Sequence, residues 1–540
     1  MRRLLPTAAS ALAAGLAVAL AACSPSQGGG TGGGNAGGGT GATASGDVSD
    51  APADVAEALA DSLASHWAPK DADYADPEFI DLSEGSAAIT KPGAYRLAGK
   101  LADGQVKVEV EKKGLVQLVL DGADITSETS SAIDIEEADE VVIILADGSA
   151  NTLTDAAVYQ NAGEEPDAAL FSKVDLTLAG SGALTVTGRA GDGIAGKDGL
   201  VIAGGNVTVK AADDAVKGRD YLRLTGGSLT VDAGGDGLKA TNSEDPGAGY
   251  VLLEGGELKV NAGTDCVDAA TSALVTGGVA ELACGDDAIH GDQTLVVDGG
   301  ATLVTDCKEG LEAPVLVVAG GEVTITASDD AVNAAAGQSS EGGQEGGGRR
   351  DWAGGRPSRA PGGPGPGQSG GRPGGAMGVQ YGVQLTITGG VLTVHAGSDG
   401  IDSNGPGVIS GGEITVYAPA NGMNGPFDIA DGGPVVTGGT VIAYGLGQSR
   451  GSIMPPESES TQGWLYATLD GGGEGGSPIA VAGPDGAVLA TLTPDQSVSA
   501  LVFSRPDVVA DSVYTVEGAA VTAGQAPAES DRGRFRRQRG

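Results

Sequence analysis

A triplet of acid, small residue and apolar residue recurs along this chain, and its carboxylates are the groups best placed for chemistry. It reads Asp192-Gly193-Ile194, Asp214-Ala215-Val216, Asp236-Gly237-Leu238, Asp265-Cys266-Val267, Asp287-Ala288-Ile289, Glu309-Gly310-Leu311, Asp330-Ala331-Val332 and Asp399-Gly400-Ile401. A ninth, Asn421-Gly422-Met423, carries an amide instead. Successive triplets lie 22, 22, 29, 22, 22, 21, 69 and 22 residues apart. Further carboxylates crowd them: Asp213, Asp286 and Asp329 stand just before an anchor, and Asp268, Asp292 and Asp402 just after one. Such oxygen-rich clusters suit Ca²⁺, which takes about six to eight oxygen ligands. The candidate calcium ligands are therefore Asp213, Asp214, Asp236, Asp265, Asp268, Asp286, Asp287, Asp292, Asp329, Asp330, Asp399 and Asp402. Three His without a cluster disfavour a transition metal. The competing use of each Asp is an Asx-type turn bond to its own backbone. Lys217 and Lys239 follow the apolar residue of their triplets and serve as neutralising charges.

These acids must be positioned by a repeating element. Gly pairs beginning at 204, 226, 255, 277, 299, 320, 389, 411 and 438 run in step with the triplets, each preceding an alternating run such as Leu229-Thr230-Val231. Alternation marks strands with one buried face. A unit of about 22 residues with three short strands cannot bury that face alone, but a stack of units can. The expected fold is all-β: a right-handed single-stranded parallel β-helix, three strands per coil, over residues 80–455, with a small C-terminal β unit at 460–518. Val207, Leu229, Leu258, Val323, Leu392 and Ile414 are its expected core. Strands lie ~4.8 Å apart, so stacked carboxylates repel by ~3.5 kcal/mol at an effective dielectric of ~20. Cations between the coils would relieve this.

Composition bounds the rest. The chain has 540 residues, 96 of them Gly, with 71 acidic and 31 basic side chains and a formal charge of −40. That charge excludes a nucleic-acid groove as the main function. Residues 1–22 read as a signal peptide whose Leu20-Ala21-Ala22-Cys23 resembles a bacterial lipobox, implying lipidation of Cys23 and anchoring to a membrane on the extracytoplasmic side. A Gly-rich tether (23–48) and an N-terminal helix and cap (49–79) follow. Residues 336–378 form a Gly/Pro-rich insert expected to be disordered, as is the basic tail (519–540). Cys284 and Cys307, 23 residues apart, should stack on neighbouring coils and form a disulfide, leaving Cys266 free.

The motifs resemble a family. Gly397-Ser398-Asp399-Gly400-Ile401-Asp402-Ser403-Asn404-Gly405 is similar to the DGIDSNG signature of bacterial secreted carbohydrate-binding domain-containing proteins. So are Ser328–Asn333, Gly285–His290, Pro92-Gly93-Ala94-Tyr95, Val119-Leu120-Asp121-Gly122, Phe503-Ser504-Arg505-Pro506 and Tyr514-Thr515-Val516. The resemblance implies a calcium-bearing parallel β-helix, similar to polysaccharide lyases, that binds cellulose or acidic pectic polymer. The expected protein is a monomeric, lipid-anchored, cell-surface polysaccharide binder that works with calcium and without catalysis. Two rivals stand beside it. One is a calcium-dependent lyase using Lys217, Arg219 or Lys239 as base. The other is a structural or adhesive surface protein that calcium only stiffens.

Overall fold

The computed structural model describes residues 74–526 apart from 112–113, 161–164, 246, 337–381, 420–423, 431 and 447–452. All belong to one compact unit, Asp54–Gly540. The Cys23 lipobox, the N-terminal helix, the Asn421 triplet, the basic end of the tail and nearly all of the insert lie outside the described residues.

The protein is all-β. One repeat contributes Asp192–Gly196, Gly199–Ile202 and Asn206–Ala211; the next contributes Val216–Gly218, Tyr221–Leu224 and Ser228–Ala233. Each strand pairs in parallel with its counterpart one repeat on. Ile194 faces Val216, which faces Leu238, which faces Val267. Val207 faces Leu229, which faces Leu258. Like side chains therefore stack, and Val207, Leu229, Leu258, Val323, Leu392 and Ile414 are buried in one continuous core.

The triplet's middle residue is small for a steric reason. A Cβ on Gly237 would lie 2.5 Å from both the Cys266 carbonyl oxygen and Val260 Cγ1. The Gly pairs mark bends where the second Gly takes a left-handed conformation, as at Gly227 (φ 80°) and Gly256 (φ 83°).

The expected right-handed single-stranded β-helix with three strands in every coil is corrected. The strands form stacked sheets of 25 and 13 strands, not three separate ladders; two ladders belong to the same large sheet. Thr294–Cys307 and Val315–Ala327 each run as one strand through a Gly pair, with register shifts taking up the bend. The physical reason is that a bend absorbed by bulges keeps the chain extended, so a corner need not interrupt a strand. Strand pairing sets register and stacking but assigns no hand. At one end Thr440–Gly445 pairs antiparallel with Val498–Ser504, which pairs antiparallel with Trp464–Gly473. Ile479–Ala482, Val488–Leu492, Val513–Val516 and Ala519–Thr522 make a separate four-stranded antiparallel sheet.

Candidate functional site

The triplet acids form a file along the edge of the 13-stranded sheet, held by one repeated hydrogen bond. The backbone N–H of Asp214 donates to Asp192 Oδ1 (3.2 Å), Asp236 to Asp214 (2.9 Å), Asp265 to Asp236 (3.0 Å) and Asp287 to Asp265 (2.8 Å). After a break, Asp399 donates to Asp330 (2.7 Å) and Gly425 to Asp399 (2.7 Å). Each carboxylate thus caps the amide of the next repeat rather than forming an Asx turn with its own backbone. Gly425-Pro426-Phe427 continues the file, because Ile401 pairs with Phe427 and Asp402 with Asp428.

A second file runs beside the first, at the fourth position of each triplet. In register it reads Lys217, Lys239, Asp268, His290, Glu312, Asn333, Asp402 and Asp428. In its first half cations bind the anchors' outer oxygens. Lys217 Nζ lies 3.2 Å from Asp192 Oδ2 and 3.0 Å from Asp214 Oδ2. Lys239 Nζ lies 2.5 Å from Asp236 and 3.0 Å from Asp268. His290 Nδ1 lies 3.1 Å from Asp287 Oδ2 and 3.3 Å from Glu312 Oε2, and its Nε2 lies 3.3 Å from Asp292.

Electrostatics follow this division. Burial alone would raise the Asp236 carboxyl, but hydrogen bonds from Lys239 and Thr264 hold it below its usual range. Burial would lower Lys217 and Lys239, yet their paired carboxylates raise both above the usual lysine range. Where pairing is weaker, burial dominates: Asp192 is pushed to about 7 and Asp265 to about 8. In the second half Asp330, Asp399, Asp402 and Asp428 have no cationic partner among the described residues. Burial and neighbouring carboxylates push Asp399 to about 6 and Asp402 to about 8.

The remaining expected ligands are outlying. Asp213 is exposed. Asp286 pairs with Lys308 at 2.9 Å, and the Asp329 N–H donates to the Lys308 carbonyl. Cys284 and Cys307 are joined in a disulfide with Cα atoms 4.8 Å apart, and Cys266 is free and buried. His290, Glu312 and Asn333 were not among the expected ligands; comparing the fourth position of all triplets would have found them. Near the start of the file a cleft of about 420 Å³ is lined by Val158, Tyr159, Asp167, Asp192, Asp213 and Lys217, among others.

Residues 83–348 match the family model of the carbohydrate-binding domain-containing proteins. A protein of the same description from Acetivibrio thermocellus is 43% identical over 135 residues, covering 24% of this chain and 47% of the relative. The chain thus spans about half the length of this curated relative. A solved structure described as a polysaccharide lyase-like protein from C. thermocellum, in a gadolinium derivative, is 35% identical. That match covers 41% of this chain and 95% of the other, with a TM-score of 0.39.

Proposed function

We propose that this chain is a lipid-anchored protein of the cell surface that binds polysaccharide with calcium and without catalysis. The observation that carries the polysaccharide reading is the family match over residues 83–348. The cleft beside Asp192 has the volume of a small-ligand site.

The proposed place for calcium is the second half of the file. Asp330, Asp399, Asp402 and Asp428 supply oxygen alone, in an environment that raises the cost of ionising them together. The Oδ1 atoms of Asp330 and Asp399 accept backbone N–H groups, and Asp330 also accepts a hydrogen bond from the Ser398 side chain, which fixes the carboxylates. Calcium held there would offer positive charge to the carboxylates of an acidic glycan, which a chain of charge −40 would otherwise repel. Cys23 is the proposed lipid site.

The absence of catalysis is supported by the state of the candidate bases. Lys217 and Lys239 are each clamped between two carboxylates, and Arg219 pairs with Asp220 at 3.0 Å. A clamped ammonium keeps its proton and cannot accept another.

The test is binding of the full chain to a panel containing cellulose and a uronate homopolymer, with calcium and with EDTA. Retention on the uronate polymer that EDTA abolishes is expected. No retention on any glycan, with stability still lowered by EDTA, would favour the purely structural role. Unsaturated uronate appearing by ultraviolet absorbance would establish a lyase.

A further inference from the structure

The hydrogen-bonded file of acids is interrupted on both sides of Glu309, whose own carboxylate accepts from the Asn333 side chain rather than from the next anchor's amide. Asp265 and the anchors before it each accept the amide of the next anchor, but the Glu309 N–H turns to the Asp286 carbonyl (3.3 Å). Asp287 is therefore left with an Oδ1 that has no hydrogen-bond partner, although the residue is only 6% exposed. At this break stand His290 and, from the next repeat, Glu312. The ligand atoms of Asp287, His290 and Glu312 all lie within 4.8 Å of one another.

We propose that Asp287, His290 and Glu312 form a site for a divalent transition-metal ion of the zinc class. His290 Nδ1 is 3.1 Å from Asp287 Oδ2 and 3.3 Å from Glu312 Oε2. Ligands about 2.0–2.2 Å from a tetrahedral zinc lie roughly 3.3 Å from one another. Two carboxylates converge on one ring nitrogen, an arrangement that a single imidazolium N–H can satisfy only in part but a metal ion satisfies fully. The other nitrogen, Nε2, lies 3.3 Å from Asp292 Oδ1. A carboxylate on the non-ligating nitrogen orients a metal-bound histidine and raises its basicity. The nitrogen donor separates this site from the all-oxygen calcium segment, since Ca²⁺ prefers oxygen ligands. The side chains of His290 and Glu312 are each 18% exposed, so an ion can enter from solvent and a water can complete the coordination. The ion would tie two neighbouring repeats where the amide-to-carboxylate bond is missing. This inference stands apart from the polysaccharide reading.

The test is a zinc titration of the EDTA-stripped full chain, disulfide intact, in millimolar calcium. One zinc per chain is expected, with cobalt in its place giving visible d–d bands. His290→Gln and Glu312→Gln should each weaken binding by about a hundredfold, and Asp292→Asn by about tenfold. Asp232→Asn, remote and exposed, should leave it unchanged. Unchanged affinity in Glu312→Gln and in a folded His290→Gln would overturn the proposal, as would displacement of zinc by equimolar calcium. If His290→Gln does not fold, Glu312→Gln decides alone.

Discussion

The first half of the acid file, from Asp192 to Glu312, and the second, from Asp330 to Asp428, use one backbone scaffold for opposite electrostatics. Both cap amides of the next repeat through Oδ1. The first inserts Lys217, Lys239 and His290 between its carboxylates. The second has Asn333, Asp402 and Asp428 at the corresponding positions. The difference teaches that the anchor acids are structural in both halves, and that the fourth position decides the fate of the charge: Lys217 and Lys239 neutralise it within the protein, whereas at His290 and through the second half it is left for a cation from outside.

The sharpest way to break this comparison is to remove an internal cation. Lys239→Met leaves Asp236 and Asp268 facing each other with little exposure, and should cost about 3 kcal/mol in urea denaturation. Asp402→Asn in chelator should instead be neutral or stabilising, because it relieves like-charge repulsion. If both substitutions destabilise equally, the two halves do not differ as described.

Calcium removal comes next. At a free concentration a hundred times its Kd, an ion that binds only the folded state adds about 2.7 kcal/mol. In zinc-free buffer, EDTA should lower the Tm of the calcium-loaded wild type and of Lys239→Met alike, but leave Asp399→Asn/Asp402→Asn unmoved.

A graded effect of pH should follow in chelator. Asp399 and Asp402 are raised to about 6 and about 8 in the folded state. A raised carboxyl binds its proton more tightly when folded, so its stabilisation is full below the unfolded value near 4 and is lost as pH rises through the folded one. Stability should decline between about pH 4 and 8 without calcium, and this decline should shrink with saturating calcium. Differential scanning calorimetry across that range checks the sign.

The smallest effect belongs to exposed pairs. Lys210 and Asp232 approach to 3.5 Å with side chains 61% and 55% exposed. Lys210→Ala should change stability by no more than about 0.5 kcal/mol.

The period was legible because stacking forces it: anchors, Gly pairs and core residues such as Leu229 and Leu258 must recur at one interval to lie above one another. The merging of two ladders into one sheet was not, since a Gly pair such as Gly299-Gly300 reads the same whether the chain turns or bulges. The place of Gly425–Asp428 in the file was not legible either, because Gly425-Pro426-Phe427 carries no acid to mark it. The break at Asp287 depends on where the Glu309 amide points, which no residue type records.

The most direct test of the divided file is calcium calorimetry on the full chain and two variants. The account predicts that Asp399→Asn/Asp402→Asn abolishes the tightest calcium binding while Asp214→Asn, beside Lys217, leaves it intact. Equal loss in both, or in neither, would contradict it.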